Sequence, residues 1–342
     1  MTKIFTQVKG IFNNYYSILE HWVKRAQTEN PDEKIIQNGK AAIQQANDTF
    51  WNLPEFKTVK GKEAYFNKVQ GYLKSQGYFL DITPQYGIAT GGLRFKTIDN
   101  ISLRSILRKE SRVVRAKERV IEYTEYILGK NLIHLPSFIE PIVESTSSSE
   151  ICIFPDELQK IINADFKQYK KYSAEANKRF LPNKVSDDNL FCILLKLYER
   201  QWGKNPPRKR EINLLIKHFR LHGEQHIVDF YLLNSHKLKL SSSNKLKKDV
   251  LWEARVMVRQ LLDGSLPFYT LSLIIIFQRE WMAGSRSEYA LAGHILFDGI
   301  VKEMILNTEN EIQKFSEDEI YRSARKYAGN NKIFFNIAVG NR

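Results

Sequence analysis

The residues best able to do chemistry are three histidines, His218, His222 and His226, recurring at every fourth position with Glu224 and Asp229 close by. On one unbroken helix that spacing stacks imidazoles along one side, the arrangement from which paired histidines bind zinc. Zinc proteases also need a glutamate directly after the first histidine, and His222-Gly223-Glu224-Gln225-His226 has a glycine there. Glycine inside a helix costs about 1 kcal/mol relative to alanine, so the sequence predicts a break at Gly223, separate helices over 208–221 and 224–236, and no metal site. A second group, Glu280, Glu288, Asp298 and Glu303 with His294, lacks the Glu-x-x-His pairs of di-iron bundles and reads as salt-bridged surface.

Arg220 and His226, five residues between them, give one enzymatic alternative. Their spacing resembles the Arg-x(4–6)-His signature of helical HEPN ribonucleases. The resemblance implies RNA cleavage supported by Arg220 and His226. No other reaction is written into the chain: Gly91-Gly92 belongs to neither a phosphate loop nor a dinucleotide fingerprint, and no Gly-x-Ser-x-Gly elbow occurs. The expectation is a non-enzyme without a cofactor.

Charge is the more general signal. Of the net charge of +14 on 342 residues, the segment 200–259 supplies +9, from 14 Lys and Arg against 5 Asp and Glu. Upstream, Arg104, Arg108, Arg112, Arg115 and Arg119 recur at steps of four, four, three and four. With about 100° per residue they fall within roughly 80° of arc on a helix over 103–128, opposite Leu103, Ile106, Leu107, Val113, Val114, Val120, Ile121 and Leu128. Gly129 would end that helix. Its five guanidinium groups would spread over roughly 22 Å and could follow several phosphates, each gripped by a planar two-pronged donor. The same stripe could equally be a solvated face paired with Glu118 and Glu122.

In the basic block, Pro206-Pro207 leads into Arg208, Lys209 and Arg210 at a predicted helix start. Cations there oppose the helix dipole, a cost that an external anion would offset. Lys245, Lys247 and Lys248 follow the loop Ser241-Ser242-Ser243. The stretch loosely resembles the small helical modules of replication and primosome accessory proteins. These eleven cations, five in the stripe and six in the block, are therefore the expected phosphate contacts. Nucleic acid, DNA before RNA, is the expected ligand, with other protein subunits as further partners. The alternative is a scaffold that meets an acidic protein or a membrane surface, its N-terminal amphipathic segment acting as an anchor.

The elements that must position these residues are mostly helical. Periodic apolar residues predict helices over 4–23, 32–51, 62–76, 155–180, 186–202, 245–263, 266–282, 286–306 and 316–328, besides those already given. Gly77–Ile98, rich in glycine, threonine and aromatics, reads as a hairpin or two to three short strands, and Lys332–Val339 as a possible last strand. The expected organisation is a helical N-terminal region over 1–135 containing the small β element, a Ser/Pro-rich linker or loop over 136–150, and a helical region over 151–342. Cys152 and Cys192 lie in apolar runs as free thiols, and the apolar run Leu266–Phe277 is too short to span a bilayer. With no signal-peptide pattern, a cytoplasmic protein without stable membrane insertion is expected.

Overall fold

The computed structural model describes residues 70–89, 93–116, 119–132, 143–147, 149–179, 185–203, 209–234, 245–263, 265–306 and 316–331, with four isolated positions nearer the N-terminus. The predicted helices over 4–23 and 32–51, most of that over 62–76 and the strand over 332–339 lie outside them. The chain divides into two compact units: Met1–Lys109 with Ile127–Pro141, and Glu110–Tyr126 with Ile142–Arg342. The expected partition at 136–150 takes a different course through the chain. Mainly helical architecture holds among the described residues, but the β element is larger than a hairpin.

In the first unit a helical turn over 70–75 ends at Gly77, whose φ of 81° suits a residue without Cβ. Strand β1 (Tyr78–Ala89) then pairs antiparallel with β2 (Leu93–Ala116), from Tyr78 opposite Ser105 to Ala89 opposite Leu93. The register slips between Thr83 and Gln85, at Pro84, which has no N–H to give to a ladder. Leu73, Phe79, Leu80, Leu103 and Leu128 are wholly buried around it. Gly129, expected to stop a helix, instead lies inside β3 (Arg119–Asn131), where a Cβ would strike the Ser105 hydroxyl.

The expected arginine helix over 103–128 is therefore replaced by β2 and β3. Two sequence facts explain the change. Steps of four satisfy a two-residue period as well as a helical one, so most of the stripe could not tell them apart. The region is also dense in Val, Ile, Thr and Tyr, side chains that suit a pleated, half-buried surface.

In the second unit, β4 (Val143–Ser147) pairs antiparallel with β5 (Glu150–Ile153), and Thr124 N–H of β3 donates to Ser149 O at 2.8 Å. The serine-rich stretch, read as a linker or loop, thus supplies a strand. Helices α1 (Pro155–Arg179), α2 (Asp187–Trp202), α3 (Lys209–Asn234), α4 (Lys245–Asp263), α5 (Pro267–Met282), α6 (Glu288–Leu296), a π-turn (Phe297–Val301), α7 (Lys302–Leu306) and α8 (Glu317–Asn330) follow. Local chemistry sets several ends. Ser186 and Ser287 cap α2 and α6, Pro267 opens α5, and Ser316 with Glu319 forms a reciprocal capping box on α8. Leu190, Ile193 and Leu197 of α2 meet Ala254, Val258 and Leu261 of α4, Leu271 and Ile275 of α5 and Leu296 of α6 in one apolar core. No described helix is long and apolar enough to cross a membrane.

Gly223 does not break α3, which runs through it. A Cβ at this position would lie 2.9 Å from two side-chain carbons of Ile151, so the glycine lets β5 approach the helix.

Candidate functional site

An unbroken α3 presents two different polar sides. At about 100° per residue, His218, His222, Gln225, His226 and Asp229 fall within roughly 100° of arc, while Arg220, Glu224 and Tyr231 share an arc of about 40° on the opposite side. The first side meets α4. His226 Nε2 lies 3.0 Å from His222 Nε2 and 3.5 Å from Glu253 Oε1, and His222 Nε2 lies 3.8 Å from Glu253 Oε2. Beside this triad, Arg255 Nε donates to both oxygens of Asp229 at 3.0 and 3.1 Å, and Gln225 donates to Asp229 Oδ1 at 2.7 Å. Asp229 and Arg255 are wholly buried.

The opposite side meets β3. Arg220 donates twice to the buried Glu125, which also faces Arg112 Nε at 3.1 Å. Tyr123 hydroxyl donates to Glu224 Oε1 at 2.6 Å, and Arg259 of α4 reaches Glu224 Oε2 at 2.8 Å and Asp263 at 3.4 Å. This helix thus carries a largely buried polar seam on two sides.

Burial and pairing set the charges. Burial pushes His222 down to about 4, opposed by Glu253 and reinforced by His226. Burial also lowers His218, to about 3, with a further push from His222. At His226 burial works in the same direction, but the hydrogen bond and charge of Glu253, with Asp229, outweigh it and raise the pKa. Glu253 is disfavoured as an anion by burial, yet the two histidines hold it below the usual carboxylate range. Burial raises Asp229 despite Arg255.

The cations singled out in the sequence meet several fates. Arg104 is 1% exposed and donates to Gly129 O at 2.8 Å, so it is internal. Arg112 is drawn to Glu110 and Glu125. Arg108, Arg115 and Arg119 are exposed, and the Arg119 guanidinium lies 5.8 Å from the ring centre of Tyr231 on α3. Arg104 and Arg108 belong to the first unit, the other three stripe arginines to the second. Arg208 lies outside the described residues. Lys209 and Arg210 occupy the first turn of α3, and Lys245, Lys247 and Lys248 that of α4.

Arg220 and His226 share a helix but not a face: one engages β3 and the other α4. Helix continuity meets the HEPN resemblance in part, and the diverging side chains do not. His294 packs flat on Trp281, its Nδ1 3.0 Å from Gln278 Oε1 and its Nε2 3.7 Å from Asp298, which also binds Lys302. The sequence reading missed Glu253, because nothing local marks a glutamate 27 residues beyond His226 as its neighbour. No family model, curated protein or solved structure matches the chain.

Proposed function

We propose that the protein binds nucleic acid through phosphate contacts, without base-specific reading, as an accessory subunit of a larger assembly. One observation carries the reading. The buried seam takes Arg220, Arg255 and Arg259 out of the 200–259 block, and with them Glu224, Asp229 and Glu253. By composition, the segment's other eleven Lys and Arg stand against Glu211 and Asp249, a formal surplus of +9.

Arg115 and Arg119 are exposed in the same unit, and Arg119 lies beside α3, which begins with Lys209 and Arg210. Such a concentration attracts polyanions by counterion release, and phosphate contacts give affinity without sequence preference. Arg104 and Arg112 drop out of the proposed contact set, because their guanidinium groups are engaged within the protein.

The test is fluorescence anisotropy with labelled duplex DNA, single-stranded DNA and RNA at stepped salt. Binding of at least one ligand whose log affinity falls linearly with log salt is expected. Absence of binding to all three at low salt would overturn the reading.

A further inference from the structure

We propose that His222, His226 and Glu253 form a binding site for one divalent first-row transition-metal ion, Zn²⁺ foremost, held between α3 and α4. Donor chemistry is the first ground. Two imidazoles and one carboxylate suit zinc and its neighbours in the row, whereas Mg²⁺ and Ca²⁺ take oxygen donors.

Geometry is the second ground. Donors about 2.1 Å from a tetrahedral ion stand roughly 3.4 Å apart; the two histidine Nε2 atoms are 3.0 Å apart, and each faces its own oxygen of the Glu253 carboxylate, at 3.5 Å for His226 and 3.8 Å for His222. All the donor atoms lie within 4.8 Å of one another. The helix supplies the histidine pair by its own pitch, one turn separating His222 from His226.

The third ground is a polar atom without a partner. Glu253 Oε2 is buried and has no hydrogen-bond partner, although the neighbouring carboxylates Glu224 and Asp229 are held by arginines. A buried carboxylate oxygen left in this way is costly unless a cation or donor completes it. The two histidine side chains are 19% and 18% exposed. Three protein ligands leave at least one coordination position for water, as in open zinc sites rather than closed structural ones. The site is independent of nucleic-acid binding, and its readouts involve no DNA.

The experiment uses the full chain, stripped with a chelator and titrated with Co²⁺ as a spectroscopic probe. One Co²⁺ per chain is expected, with visible ligand-field bands, displacement by Zn²⁺ but not by excess Mg²⁺, and a rise in Tm on loading. His222→Gln and Glu253→Gln should each weaken binding by at least about 100-fold, beyond the 10–100-fold that loss of a supporting partner brings. His294→Gln should bind as wild type. X-ray absorption of the zinc-loaded wild type needs no variant and should show two imidazoles with oxygen donors. Failure of the folded wild type to bind, thiolate bands or sulfur ligation from Cys152 or Cys192, fewer than two imidazoles, or unchanged binding in a folded triad variant would each overturn the site.

Discussion

Replacing Asp229 by Asn tests the buried seam of α3 and α4 directly. The carboxylate and the Arg255 guanidinium are both wholly buried, and Arg255 Nε donates to both oxygens, at 3.0 and 3.1 Å. Asparagine keeps the shape and can still accept from Gln225, so no cavity arises. What remains is a guanidinium stranded away from water. Breaking a buried pair from one side costs about 3–5 kcal/mol, whereas removing both charges can be nearly neutral. At about 2–4 °C per kcal/mol for a unit of this size, the single variant should melt roughly 6–20 °C lower. Adding Arg255→Met should recover most of the loss. Urea denaturation of wild type, both single variants and the double closes the cycle. An Asp229→Asn variant within about 0.5 kcal/mol of wild type, or a double variant as costly as the singles combined, would refute the argument.

Three further outcomes follow from the same geometry. Gly223→Ala should destabilise, because forcing a methyl against Ile151 costs about 1–3 kcal/mol, more than the roughly 1 kcal/mol gained in helix propensity; a higher Tm would contradict the close packing. His218 is held neutral when folded, with a pKa of about 3, but takes up a proton near 6.5 when unfolded. Its folded pKa is depressed, so stability is intact above about 6.5 and falls as pH drops towards 3, by up to about 1.4 kcal/mol per unit. Denaturation curves at stepped pH should show a shallower slope for His218→Phe, and an identical slope would contradict the assignment. Arg112→Glu should lower Tm by setting a second acid against the buried Glu125, whereas Arg115→Glu with Arg119→Glu should leave the unfolding free energy within about 1 kcal/mol of wild type. Equal melting of the two variants would remove the distinction between internal and exposed arginines.

The helices of the second unit were legible because their signals are local. Ser186, Ser287, Ser316 and Pro267 mark starts by capping chemistry, and apolar spacing carried α2, α4 and α5 to nearly the right bounds. The β2–β3 region was misread because its arginines repeat at an even step, which both periods satisfy. Its valines and tyrosines are the discriminating signal. Gly223 misled for another reason. Glycine destabilises an isolated helix, but here the missing Cβ is what lets Ile151 pack, a tertiary contact invisible along the chain. The histidine spacing was visible, yet the triad was not, since Glu253 arrives from another helix. Net charge was legible throughout, but which arginines are spent internally depends on partners such as Glu125 and Gly129 that only the fold supplies.

The proposed polyanion contact is tested most directly by the salt slope of duplex DNA binding, compared between wild type and a variant carrying Arg115→Glu, Arg119→Glu, Lys245→Glu, Lys247→Glu and Lys248→Glu. Each phosphate contact contributes about 0.9 to the slope of log affinity against log salt. Loss of affinity with a shallower slope, at unchanged circular dichroism, is the predicted result. A variant that binds with wild-type affinity and slope would contradict the account.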